Sequence, residues 1–227
     1  MRKFLVILLV LSSLFLEAHT DHYKNYSYIE MEIFKDDEKI GESIFTFKKE
    51  ENKFIVKNKT NFNVKLLGVT VFSINSRGTE EYIGDQLISF NSETFQNDKR
   101  KYVNLKLNNN EKMFDIDGSS FNGRTDSNNI IGSWWNHEII NKNVQISAVS
   151  GRILPQKVKF LGKKKIILFD RKYNALKFHF LSNDNESLKK KKINFNLWYN
   201  ADNLLWLKMS YQKLGKWEYR LKKHAFF

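Results

Sequence analysis

The chain has 227 residues, a single proline, no cysteine and a formal charge of +13. Without cysteine there are no disulfides, no thiolate chemistry and no lipid-modified cysteine after a leader, so stability must come from a hydrophobic core, for which the length suffices. The positive charge would suit nucleic acid in a cytosolic protein. The N-terminus argues against that setting and points to an anionic envelope surface, or simply to a soluble lysine-rich exterior.

That N-terminus, MRKFLVILLVLSSLFLEAHT, has a basic start at Arg2 and Lys3, an apolar run from Phe4 to Leu16 and a small residue at Ala18. It reads as a cleaved signal peptide over residues 1–18, because the apolar run is shorter than the ~20 residues that span a bilayer. Residues 19–227 then form one β-rich domain that is exported, periplasmic or secreted. His19 and His22 would lie at the new terminus, a setting in which copper is sometimes held. Since terminal tails are often disordered, no metal is assigned there.

Beyond the leader, apolar and polar residues alternate with period two between short polar turns, the mark of antiparallel strands with one buried face. The spacing predicts strands at Tyr26–Lys35, Ile40–Lys49 and Phe54–Leu66. In the last of these, Phe54, Val56, Phe62, Val64 and Leu66 share one face, and Lys57, Lys59, Asn61, Asn63 and Lys65 share the other. A strand of roughly 40 Å must curl, and Gly68 is the expected point of relief. Further strands are expected at Val69–Asn75, Gln86–Phe95, Tyr102–Leu107, Lys112–Asp117, Val144–Ser147, Arg152–Phe160, Lys165–Phe169 and Ala175–Leu181. Residues 117–129 read as the longest loop, and Lys163–Lys165 and Lys189–Lys192 as solvated turns. Glu80, Glu81 and Asp85 around Gly84 read as solvated turn carboxylates.

The last three strands can be set in register. A loop Ala201-Asp202-Asn203 with Asn203 left-handed pairs Leu197 with Leu207 and places Trp198 opposite Trp206 on an otherwise polar face. A loop Lys213-Leu214-Gly215 pairs Tyr211 with Trp217 and Met209 with Tyr219. An exposed tryptophan pair needs either a covering element or a ligand. The candidate cover is Gly132–Asn141, GSWWNHEIIN, read as a short helix or turn with Ser133 as N-cap and with Trp134 or Trp135 packed near Trp198 or Trp206. The fold class is therefore all-β: a single domain of about a dozen antiparallel strands in a strongly curled sheet or open half barrel, with at most a short helix near 133–140.

The Ile40-Gly41 hairpin, Val64 to Val69, Glu80-Glu81 before a turn, Leu87, Phe90, Ser92 and Thr94, the box Ser133-Trp134-Trp135-Asn136 and the terminal Leu197-Trp198-Tyr199 occur in an order that resembles a family of exported bacterial proteins known as a domain of unknown function (type 6134). The resemblance implies an exported all-β domain and carries no activity or catalytic residue. More loosely, the curled sheet behind a leader is similar to the periplasmic open half-barrels that carry lipid or lipoprotein acyl chains.

Motifs for catalysis fall short. His137-Glu138-Ile139-Ile140-Asn141 lacks the second imidazole of a zinc-hydrolase helix, and His179 reads as an ordinary exposed strand residue. Ser187-Leu188-Lys189-Lys190 matches S-x-x-K inside a charged turn with nothing to depress a lysine pKa. No catalytic residue, metal or cofactor is expected. The leading expectation is non-catalytic binding of an apolar or lipid-like ligand near Trp134, Trp135, Trp198 and Trp206. An interaction module for an envelope protein and an exported hydrolase with an unrecognised site stand as alternatives.

Overall fold

A computed structural model describes residues 25–183 and 193–227. The expected leader, His19, His22, the Ser187–Lys190 motif and Lys189–Lys192 lie outside the described residues. The described chain forms one sheet of fifteen strands in the order β8-β7-β6-β5-β4-β3-β2-β1-β15-β14-β13-β12-β11-β10-β9. Fifteen exceeds the dozen strands expected, and the sheet is curled but not closed, since β8 and β9 are its two ends.

The strands are β1 (Tyr26–Lys35), β2 (Glu38–Glu50), β3 (Lys53–Leu66), β4 (Val69–Ile83), β5 (Gln86–Gln96), β6 (Lys99–Asn108), β7 (Met113–Gly118) and β8 (Phe121–Asp126). After the seam come β9 (Ile130–Ile131), β10 (Val144–Ile146), β11 (Ile153–Leu168), β12 (Arg171–Ser182), β13 (Asn194–Asn200), β14 (Trp206–Gln212) and β15 (Lys216–Phe226). All neighbours are antiparallel except the short β9–β10 pair. Tight turns at Asp36-Asp37, Leu67-Gly68, Asn97-Asp98 and Phe169-Asp170 have positive φ at both central residues, the twist that suits two-residue hairpins. Gly68 thus belongs to a hairpin turn and does not bend a strand.

Three expectations need correction. β4 runs on to Ile83, well past Asn75, because its later residues pair with β3 and β5 even though Ser76, Arg77, Thr79, Glu80 and Glu81 are polar. The presumed loop after Asp117 contains β8, which closes a hairpin on β7 through the Gly118↔Phe121 pair. The two segments expected on either side of Lys163–Lys165 are one strand, β11, carrying a bulge between Phe160 and Lys163 with Gly162 at φ +88°. β10 covers only Ile153–Pro155 of it, so Lys157, Lys159 and Lys163–Lys165 decorate an edge. Lysines and a bulge are standard protection against edge-to-edge pairing.

The far end of the β11–β12 hairpin lies against the outer face, where the Phe169 ring is 6.1 Å from that of Phe34 and Lys222 Nζ is 4.3 Å above it. At the seam, loops substitute for a ladder. Ser120 N–H donates to Ser150 O at 3.0 Å, and Ser92 Oγ donates to Ala148 O at 2.6 Å.

Inside the curl, the core is denser at its two ends than between them. At one end Ile33, Phe62 and Trp217 pack with Val64, Phe72 and Ile74. At the other, Trp135 is wholly buried, with its ring edge-on to Phe47 at 5.5 Å and to Tyr82 at 5.8 Å.

Candidate functional site: a two-walled cavity inside the sheet

Between these ends lies a cavity of about 270 Å³. One wall is made by the inner faces of β2 to β5. Ser43, Thr60, Ser76 and Thr94 are successive cross-strand partners on those four strands, so their hydroxyls form a row across the sheet. Ser43 Oγ and Thr60 Oγ1 are 2.7 Å apart, as are Ser76 Oγ and Thr94 Oγ1. The next row, Phe45, Asn58, Gly78 and Ser92, is paired in the same way.

Gly78 lies in mid-strand, where glycine costs about 0.5–1 kcal/mol relative to alanine. A Cβ there would meet nothing closer than Phe90 Cε2 at 3.4 Å. The missing side chain therefore leaves space rather than relieving a clash, a pattern associated with close approach of a ligand to a strand.

The opposite wall is aromatic and comes from Trp134, Trp206, Tyr211 and Tyr219. Trp206 reaches it through a local irregularity. β13 and β14 pair Leu197 with Met209 and Trp198 with Lys208, and then skip Leu207 so that Tyr199 faces Trp206. The expected Trp198–Trp206 pair and the Leu197–Leu207 pair are therefore absent. The preceding loop is longer than anticipated, with Leu204 and not Asn203 at positive φ, and the bulge turns Trp206 inward.

Trp198 stays on the outer face between Lys177 Nζ at 4.9 Å and Lys208 Nζ at 5.3 Å, which removes it from the tryptophan group expected at one site. The β14–β15 register is as read from its turn: Tyr211 faces Trp217 and Met209 faces Tyr219.

Adjacent Trp134 and Trp135 go to different places because Trp134 has φ +61°. A bulky residue seldom adopts that conformation, at a cost of about 1–3 kcal/mol. It is held there by Tyr199 Oη donating to Trp134 O at 2.9 Å and by ring contacts of 5.5 Å to Phe195, 5.8 Å to Trp206 and 5.6 Å to Tyr219. The expected packing of this box on Trp206 is thus realised by Trp134. The kink sends Trp135 past the cavity to its floor. The helix that follows is a 3-10 turn, His137–Asn141, capped by Asn136 Oδ1 accepting from Glu138 N–H at 3.0 Å and not by Ser133.

Glu80, read from the sequence as a solvated turn carboxylate, is buried at this floor with 3 % of its surface exposed. Trp135 Nε1 donates to Oε1 at 2.9 Å, and Tyr82 Oη lies 2.5 Å from Oε2. Desolvation raises its pKa, against hydrogen bonds from Tyr82 and Trp135 and the nearby Ser133 hydroxyl, which lower it. Its neighbour Glu81 is on the outer face and pairs with Lys53 at 3.2 Å.

Tyr211 and Tyr219 are both pushed up by burial, yet each keeps accessible surface, and both line the cavity. Neither phenol hydroxyl has a hydrogen-bond partner among the described residues. The indole N–H groups of Trp134 and Trp206 are likewise unpartnered, at a cost of about 1–3 kcal/mol each.

His137 is buried, with Nε2 3.6 Å from Glu138 Oε1, and Asn141 Nδ2 donates to Glu138 Oε2 at 3.3 Å. Among the described residues no three His, Cys, Asp or Glu side chains converge as a metal site would require. His179 is half-buried, its Nδ1 3.0 Å from Asn196 Oδ1.

Fold and site together define an all-β protein with a barrel-like, unclosed sheet around an amphipathic cavity. The chain belongs to the family described as a domain of unknown function, DUF6134, whose family model matches residues 31–222. Among solved structures it is similar to a β-barrel-like protein of a different domain of unknown function, DUF1849, from Brucella abortus. The TM-score is 0.60 at 11 % identity, covering 89 % of this chain and 98 % of that one. At that identity the likeness speaks for the fold alone. No curated protein matches the sequence.

Proposed function

We propose that the protein is a non-catalytic binder that takes up an apolar or lipid-like molecule, or the end of one, inside its curled sheet. The observation that carries this reading is the cavity itself, set against a strand that carries Gly78 in its interior. Its volume of about 270 Å³ is just under the ~300–1,000 Å³ usual for pockets that enclose a whole small ligand. It suits a short chain or ring, with the rest of a larger molecule left outside.

Trp134 and Trp206 line the site in this reading, Trp135 supports its floor, and Trp198 has no part in it. The basic-then-apolar N-terminal sequence supports an exported protein acting in the periplasm or outside the cell. The lysines of β11, which have no ion-pair partner among the described residues, favour an anionic envelope surface as its surroundings. A hydrolytic reading is less well supported, because both oxygens of Glu80, the acidic side chain on the cavity wall, are already engaged by Trp135 and Tyr82.

The test uses the neutral fluorophore N-phenyl-1-naphthylamine with the wild type and with Gly78→Leu, whose side chain fills the cavity. Saturable enhancement in the wild type that is lost in a folded Gly78→Leu supports the proposal. Equal binding by both, or none by the wild type, overturns it.

A further inference from the structure

The two walls differ in which hydrogen atoms they have left to give. Asn58 Nδ2 donates to Ser43 Oγ at 3.1 Å and Thr60 Oγ1 donates to Asn58 Oδ1 at 3.2 Å. In the 2.7 Å contact between Ser43 and Thr60, Ser43 must then be the donor. Each hydroxyl has one hydrogen, so this ring of three consumes both hydroxyl protons and leaves lone pairs facing the cavity. Across from it, Tyr211 and Tyr219 hold phenol O–H groups with no acceptor among the described residues. Among the described residues no lysine, arginine or histidine lines the space, so no cation there compensates a negative charge, and an anion would meet the lone pairs of Ser43 and Thr60.

We infer that the cavity selects an uncharged amphiphile bearing a hydroxyl group, a long-chain alcohol or an acylglycerol end, over the fatty-acid anion of the same length. A hydroxyl fits both walls at once: its hydrogen is accepted by the Ser43–Thr60 row and its oxygen accepts from a tyrosine. A carboxylate has no hydrogen to give Ser43 and Thr60 and is buried there without a cation, whatever donors it finds elsewhere, and an ester or hydrocarbon leaves those two oxygens unengaged. The inference rests on the cavity being a ligand site, as proposed above.

The experiment is displacement of N-phenyl-1-naphthylamine from the full chain at pH 8 by 1-decanol, decanoate and methyl decanoate. It is repeated with Thr60→Val and Tyr219→Phe, whose folding is checked by thermal melting. Decanol is expected to displace the fluorophore at roughly tenfold lower concentration than decanoate. Each variant should weaken decanol by roughly fivefold relative to methyl decanoate. Should either variant fail to melt cooperatively, the other and the wild-type ligand series still decide. Decanoate matching decanol, or methyl decanoate doing so, would overturn the selectivity and leave the cavity reading standing. Absence of fluorophore binding would remove the cavity reading itself.

Discussion

Glu80 and Glu218 are both buried glutamates on strands of the same sheet, each with 3 % of its surface exposed, and their carboxyls are displaced in opposite directions. Glu80 faces inward, where burial raises its pKa more than Tyr82 and Trp135 lower it. Glu218 faces outward. Burial raises it too, but Lys208 and Arg220 bind it directly and leave the net shift downward. The inner face supplies neutral hydrogen-bond donors and the outer face supplies cations. One sheet can therefore keep cations off its inner face while carrying a large positive charge outside.

The strongest way to break this contrast is through the tryptophans. Trp135→Ala removes a wholly buried ring and leaves Glu80 Oε1 without its donor, and is expected to cost about 4 kcal/mol in urea unfolding. Trp198→Ala also removes a buried ring, 8 % exposed, together with its stacking on two lysines, and should cost about 3 kcal/mol. Equal losses would mean that the two faces are not energetically distinct.

Next in size are the glutamates themselves. Glu218→Gln should destabilise by about 2 kcal/mol, less than the ~3–5 of a fully buried ion pair, because Lys208 and Arg220 keep 19 % and 21 % of their side chains exposed. Glu80→Gln retains an acceptor for Trp135 and should instead stabilise at pH 8, by an amount of order 1 kcal/mol. Melting temperatures at that pH decide the sign.

The pH profiles sharpen the comparison further. Glu80 binds its proton more tightly folded than unfolded, so its contribution is present below the ordinary value of 4.5 and lost as pH rises through its folded value. Glu218 behaves in reverse: its contribution is present above 4.5 and lost as pH falls through its lowered folded value. Stability measured against pH should therefore lose its alkaline-side decline in Glu80→Gln and part of its acid-side decline in Glu218→Gln. The same slope change in both variants would contradict the assignment.

The smallest effect is expected at Gly78→Ala. With ordinary contact to Phe90 at 3.4 Å, it should gain about 0.5 kcal/mol. A loss there would mean that the inner wall has no room at that point.

Much of the fold was legible in the sequence, since β1, most of β2 and β3, and the β14–β15 register follow from alternation and turn chemistry alone. The later half of β4 and all of β8 were not, because alternation marks a strand only when its inner face is apolar. β4 turns Ser76, Gly78 and Glu80 toward the cavity, and β8, Phe121–Asp126, carries little apolar content at all. The cavity left a trace nonetheless. On the apolar face of β3 the series Phe54, Val56, Phe62, Val64 is interrupted by Asn58 and Thr60, and those two residues belong to the polar wall. The interruption became meaningful only once the register aligned it with Ser43 and Ser76 on the neighbouring strands. The Trp198–Trp206 expectation failed at a β-bulge, where one skipped residue moves a side chain to the other face; no turn residue announced it.

The seam between β8 and β9 sets how this molecule can breathe. Everywhere else around the curl, parting two neighbouring strands breaks a ladder of backbone hydrogen bonds. At the seam, separation breaks loop and side-chain bonds, among them Ser120 to Ser150, Ser92 to Ala148 and Trp135 to Glu80, but no strand ladder. Local opening along this line costs no ladder of strand pairs, and amide exchange at Ser120 and Ser150 should be faster than within the ladders of the described strands. The Ala148–Val149 stretch borders both this line and the cavity.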